Sequence, residues 1–399
     1  MLICNAILCD AFGEKKCDVR IEDNIIQKIE DKIVANEGEK VIDANLRYLL
    51  PQIIDTNVSV NSHNLNGKNL EKLSRDAYYG GVKKVVLSPD TLPAINDEIT
   101  LEFVQKHRYH DKGSIVESSI CAINSEGALS NIAILLKDGA VAPFISTDID
   151  TNLLCRISEY IKMYNKTLFC AAQDNALLST GVMVESALAN QMGLGGISPL
   201  SEITHVSKMI EIARFYGIKI LFKSISTSRA IELIQSAKDE GVSVSCEVSI
   251  FHLTNSNLAC KEFNTLAKIQ PPLNTEDELT YMQKALCDGK IDILTSLHRP
   301  HTHVDKEVAF FDASYGSESI RDILPLYFTK LVKTGLISMS KLMELTLKNS
   351  AESIGEVDGK IEAGQKADLL LFDTKTSYKV NATLSLYNGE ELFGVIENL

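Results

Sequence analysis

The sequence predicts an α/β protein: a parallel sheet, doubly wound or closed into a barrel, beside a small β module built from both chain ends. Three observations carry this. Between residues 50 and 354, apolar runs of strand length alternate with amphipathic helical stretches, as expected of parallel strands joined by helical crossovers. Residues 1–49 are short β-like runs between polar turns, too few to close a core alone. Residues 355–399 repeat that character, so head and tail pairing is the economical arrangement. Neither G-x-G-x-x-G after a strand nor G-x-x-x-x-G-K-[ST] occurs, which removes support from nucleotide-binding folds.

Composition fits this size of fold. At 399 residues the chain suits a large barrel plus an accessory module. A hydrophobic content of 45% with 23% charged residues supplies a substantial core. The net charge of −13 argues against nucleic acid or an anionic membrane as partner, since both need a basic face. The nine cysteines are odd in number, lack a C-x-x-C pair and sit mostly in apolar runs, which predicts buried, reduced thiols in a cytoplasmic protein. The N-terminus has no basic n-region or small-residue cleavage site, and no run approaches the roughly 18 apolar residues of a membrane span.

In chain order, the candidate strands of the head are Leu2-Ile3, Ile7-Leu8, the run from Val19 to Ile21, Ile25-Ile26 and Val41-Ile42. The stretch 49–61 reads as one buried strand: Pro51 leads in, Ile53 and Ile54 are β-branched, and Val58 and Val60 alternate with polar residues. Further strands fall at 82–87, 140–146, 167–172, 218–222, 242–248 and 291–295. Helices fall at 227–240, 276–288, 321–331 and 338–347, the last with Ser338 as N-cap. A strand at 367–373 opens the tail, and Gly359, Gly364 and Gly389 mark turns.

Several stretches together resemble type I dihydroorotase, a pyrimidine-biosynthetic amidohydrolase, from about Val41 to Asp373. MGLGGISPLSE (192–202) is similar to the family's L-G-L-P-G-x-P-x-x-A-E loop. ISTSRAIELIQSAKDEGVSVSCEV (225–248) is similar to its H-V-S-T strand, helix and next strand. KIQPPLNTEDE (268–278) resembles K-x-N-P-P-L-R, and DGKIDILTSLHRPH (288–301) resembles D-G-x-I-D-x-I-A-T-D-H-A-P-H. GKIEAGQKADLLLFD (359–373) resembles the closing strand of the family's β module. The resemblance implies a (β/α)8 TIM-like barrel of the amidohydrolase superfamily at 50–354, with a composite β-sandwich from 1–49 and 355–399.

The family's chemistry needs a polarised carbonyl, a hydroxide and a proton shuttle, the first two supplied by zinc. Carried over residue by residue, the first-strand D-x-H-x-H keeps Asp55 but places Asn57 and Ser59 at its histidines, and Asn61 at the substrate-binding arginine. Asp90 stands for the asparagine of M-P-N-T, Ala171 for the histidine of H-C-E-D, and Ser224 for that of H-V-S-T. Gln270 and Asn274 replace the asparagine and arginine of N-P-P-L-R, and Leu297 replaces the catalytic aspartate. The bridging carboxylate has no secure counterpart, with Asp148 and Asp150 as candidates. Asn, Ser, Ala and Leu are poor or impossible zinc ligands, and Leu297 offers neither charge nor basicity. The expectation is a chain with no metal, no cofactor and no catalytic residues.

His298, His301 and His303 admit two readings, a new metal site or a polar loop over the barrel mouth; only Asp305 stands by as a carboxylate. His252 reads as structural and Cys170 as buried rather than reactive. The resemblance implies a pseudo-dihydroorotase acting as a non-catalytic assembly partner of the aspartate carbamoyltransferase catalytic chain, in a homodimer or hetero-oligomer. Two alternatives stay open. One is an active dihydroorotase-like hydrolase with an atypical site around His298, His301, Asp148 or Asp174. The other is a sensor that binds a pyrimidine precursor without turnover.

Overall fold

The computed structural model describes residues 1–146, 149–178 and 180–399. Eight parallel strand positions follow one another in chain order. They are Ile53–Val58, Val82–Leu87, a third strand broken into Ile115–Ser118 and Ile120–Cys121, then Pro143–Ile145, Thr167–Ala171, Lys219–Lys223, Val244–Ser249 and Ile293–Thr295. Each laddered neighbour pair is parallel. A bridge between Val58 and His298 joins the last strand to the first, and the Ser59 amide donates to the His298 carbonyl at 2.8 Å. The Asp55 carboxylate reinforces this seam by accepting from the Ser296 amide at 2.9 Å. The sheet is therefore closed, which strand and helix alternation alone could not decide.

A helix follows each strand on the outside, among them Gly67–Tyr79, Thr151–Tyr164, Leu200–Tyr216, Ser228–Asp239 and Glu276–Cys287. Inside the barrel, Ile54, Val86, Phe144, Phe169, Leu221 and Ile293 form an apolar layer, plugged from the N-terminal end by Leu347, Ala351 and Ile354. Side chains alternate along a strand, so Thr56, Ala171 and Lys223, each two residues further on, lie one layer higher, towards the mouth.

The head and tail build one seven-stranded sheet. Its order runs Glu391–Asn398, Leu369–Lys379, Tyr48–Pro51, Leu2–Asp10, Gly13–Glu22 and Ile25–Glu30, with Val41–Asp43 also paired to Leu2–Asp10. Its far edge curls back: the Ile26 amide donates to the Gln365 carbonyl at 2.8 Å, just ahead of the tail strand. Ile3, Leu8, Val19, Ile26, Leu49, Leu369 and Leu371 fill the space so enclosed, giving the expected sandwich.

Two expectations need correction, and one strand was missed. The stretch 49–61 is two strands in two sheets, since Pro51 ends the small sheet's strand and Ile53 starts the barrel. The third barrel strand was not legible, because Glu117, Ser118 and Ser119 interrupt its apolar run. The helix at 321–331 is an α-helix over Ile323–Tyr327 passing into a π turn over Phe328–Val332. Ser338 does cap the next helix, accepting from the Lys341 amide at 3.1 Å. All nine cysteines are free, but Cys4, Cys121 and Cys155 are only partly buried and Cys287 is exposed. Among the described residues no helix is long and apolar enough to cross a membrane.

Candidate functional site at the barrel mouth

A cavity of about 280 Å³ opens at the C-terminal ends of the barrel strands. Asn57, Ala171, Ser224, Asp90 and Gln270 all line it, so the fold gathers five of the positions singled out from sequence. Arg299, His63 and Lys223 supply further polar wall.

The floor of the cavity is a buried charge network. The Lys223 ammonium donates to the Glu247 carboxylate at 2.5 Å and to the Thr56 carbonyl at 2.8 Å, and lies 4.5 Å from the centroid of the Phe169 ring. Its side chain is 5% exposed and that of Glu247 0%. Burial pulls the Lys223 pKa down from its ordinary value, while the adjoining Glu247 carboxylate opposes that pull. Thr56 donates its hydroxyl to the same carboxylate at 2.9 Å. Asn57 donates to the other carboxylate oxygen and to the Ser224 hydroxyl, the latter at 2.8 Å. The network ties the first, fifth, sixth and seventh strands together across the lumen. Beside it, burial pushes the Asp55 carboxyl up to about 6, against the hydrogen bonds it accepts from Ser296 and Asn57.

This donor set does not fit a zinc ion. Asn57 is committed to Ser224 and Glu247, Ala171 has no donor, and a fixed ammonium sits where a cation would need room. Among the described residues, no three His, Cys, Asp or Glu side chains are placed to share a metal. Leu297 is 1% exposed and packs into the main hydrophobic core.

The remaining candidates scatter. The His298 ring nitrogen Nδ1 accepts from the Ser319 and Ile320 amides at 3.1 and 3.3 Å, and the residue borders a different cavity, with Lys72, Asp76 and Arg321. Burial lowers its pKa to about 3. His301 donates from Nε2 to the Tyr315 carbonyl at 2.9 Å, and burial lowers its pKa to about 4. His303 is exposed beside Glu307, at 2.8 Å. The HRPHTH histidines thus bond to different partners: His298 to the Ser319 and Ile320 amides, His301 to the Tyr315 carbonyl and His303 to Glu307. Asp174 and Asp150 cap helix starts, accepting from the Ala176 amide and the Asn152 amide, each at 2.9 Å. Asp148 lies outside the described residues. Neither Asn61 nor Asn274 lines the mouth. Asn274 donates to the Ser226 carbonyl at 2.8 Å, in a neighbouring cleft. Ser59 sits under the loop, 3.4 Å from His63 Nδ1. His252 is buried between Ser249 Oγ at 2.8 Å and the Pro271 carbonyl at 3.1 Å, with its pKa lowered by burial to about 4. Cys170 is fully buried against His205 at 3.5 Å, and burial raises its thiol far above the usual range.

Sequence reasoning missed Lys223, Glu247 and Arg299. The available signal was a Lys following the apolar run Ile220–Phe222 and a Glu between Cys246 and Val248, in barrel strands where an unpaired buried charge is too costly to keep. Arg299 donates to the Asp90 carboxylate at 3.2 Å on the cavity wall. Burial raises the Asp90 pKa, but Arg299 and His63 outweigh it and the net shift is downward.

No family model matches the chain. Solved structures show its fold. An L-hydantoinase (dihydropyrimidinase) from Arthrobacter aurescens superposes with a TM-score of 0.85 at 21% identity, over 99% of this chain and 93% of that one. A D-hydantoinase (dihydropyrimidinase) from Thermus sp. gives 0.83 at 19%, over 99% and 92%. Curated relatives reach further in sequence. A dihydroorotase of Caldanaerobacter subterraneus is 30% identical over 100% of this chain and 95% of its own length. One from Acetivibrio thermocellus is 32% identical over 91% of this chain and 86% of its own. Likeness of that extent, spread over both barrel and sandwich, is independent of the altered mouth: the chain belongs to the dihydroorotase family.

Proposed function

We propose that this chain is a dihydroorotase homologue that holds no zinc and turns over no substrate. It acts in the cytoplasm as a non-catalytic structural and assembly partner of the aspartate carbamoyltransferase catalytic chain, in a homodimer or hetero-oligomer of pyrimidine biosynthesis. The observation that carries the loss of catalysis is the Lys223–Glu247 pair across the barrel floor, with apolar Leu297 at the shuttle position. A scaffold can keep its outer surface while its pocket changes, because fold and site are separable. Family resemblance, together with nine free cysteines suited to a reducing compartment, supports the partner and its location.

The test has two arms. Purified chain, supplied with zinc, is assayed for interconversion of carbamoyl aspartate and dihydroorotate; no turnover is expected, and robust turnover would establish an active hydrolase with an atypical site instead. The transferase is then purified from cells with and without this chain and sized; a smaller, less active transferase in its absence is expected. A transferase fully assembled and active without it would defeat the assembly role. One observation favours a sensor as second reading: the mouth cavity stays lined by Arg299, His63 and Gln270. Calorimetry with carbamoyl aspartate and dihydroorotate distinguishes it.

A further inference from the structure

We infer that the Lys223 ammonium is the resident cation of this barrel, and that it bars a divalent metal from the mouth even when nitrogen ligands are available. The inference concerns the chain's own charge and stands whether or not the transferase is its partner.

Lys223 ends the sixth strand and Ser224 follows it, and their side chains are linked through Asn57 and Glu247, so a group at position 224 stands near the ammonium. Asn57 bridges the two sides, bonding Ser224 Oγ at 2.8 Å and sharing the Glu247 carboxylate with Lys223. A metal placed among positions 57, 59 and 224 would lie within a few Å of a fixed positive charge, in a desolvated floor where like charges repel strongly. Moving aside is not open to Lys223. Its ammonium is fixed by Glu247, the Thr56 carbonyl and the Phe169 ring face, and retracting it would leave Glu247 buried without a counter-charge. The same contacts give the ammonium a metal-like mechanical part, since it cross-links four strands from inside the lumen.

Two proteins differing only at Lys223 test this. The first carries Asn57→His, Ser59→His and Ser224→His, and the second carries these with Lys223→Met. Zinc affinity is measured by competition with a chromogenic chelator. The expected result is zinc binding at least about tenfold tighter when Lys223 is removed, with none bound stoichiometrically by the unaltered chain. Equal affinity in the two proteins, no binding by either, or one zinc per unaltered chain would each overturn the inference. Should the histidine variants fail to fold, melting of Lys223→Met and of Lys223→Met/Glu247→Gln decides. The single change is expected to lower the melting temperature by several degrees and the double change to recover more than half of that loss. A single variant that melts with the unaltered chain would also overturn it.

Discussion

Leu297 and Ser224 both hold left-handed backbone, with φ of +48° and +52°. Such a conformation costs an ordinary residue on the order of 1–2 kcal/mol. At Leu297 the side chain is buried in the core, a gain of roughly 2–3 kcal/mol that offsets it. The residue has thus become part of the packing and not a vacant ligand position. Replacing it by aspartate puts a carboxylate into that apolar contact. Leu297→Asp is expected to lose roughly 3 kcal/mol in urea unfolding and to gain no dihydroorotate hydrolysis. Turnover in this variant would make position 297 the sole lesion. The substitutions at 57, 171, 224 and 297 were legible because each falls inside a spaced motif. Lys223 and Glu247 were not, because the meaning of each depends on the other, 24 residues away and across a lumen that sequence does not display.

Among elements, the most recognisable loop, 192–202, lies away from the cavity and shows why such motifs outlast chemistry. Its Glu202 is buried and accepts from the Ser226 amide and hydroxyl, the latter at 2.8 Å, and from the Thr227 amide and hydroxyl at 2.9 and 2.7 Å. One carboxylate thereby joins the helix Leu200–Tyr216 to the start of Ser228–Asp239. Lys268 does similar work, donating to the Phe310 and Phe311 carbonyls at 2.8 and 2.7 Å. Removing Glu202 strands several buried donors at once. Glu202→Ala is expected to cost roughly 3–5 kcal/mol by urea unfolding, and Glu202→Gln less, because the amide oxygen still accepts. Equal stability of Glu202→Ala and the unaltered chain would show that water replaces the carboxylate without loss. Motifs of this framework kind were readable from sequence, whereas the broken third strand was not: its identity comes from its neighbours in the barrel, not from its own polar residues.

For the whole molecule, closure of the barrel depends on contacts such as Val58 with His298 and Asp55 with Ser296, pairs about 240 residues apart, so alternation left open and closed sheets equal. Several of these contacts are titratable, which gives the fold a signed acid response. His252, His298 and His301 are buried and neutral, with folded pKa values near 4, 3 and 4. Unfolded, each titrates at about 6.5. Above that pH neither state binds the proton; below it only the unfolded state does, so stability falls as pH drops towards the folded values. Asp55 acts in the opposite sense, since its folded carboxyl takes a proton at about 6 and an unfolded one at about 3.9. Among these four groups, three histidines against one carboxyl leave a loss of roughly 4 kcal/mol between pH 7 and 5, which the Glu202 and Asp322 carboxyls, also raised by burial, reduce. The expected urea midpoint is flat from pH 8 to 7 and falls steadily below about 6.5. His298→Asn isolates one contributor: its amide oxygen can accept from the Ser319 and Ile320 amides as Nδ1 does, yet it has no proton to gain. That variant should lose roughly 2 kcal/mol less over the same interval, close to half of the net loss. A midpoint that stays level to pH 5 in both proteins would mean that these histidines take up a proton in the fold as readily as in the unfolded chain, and that the seam at His298 is not the dry, neutral contact described.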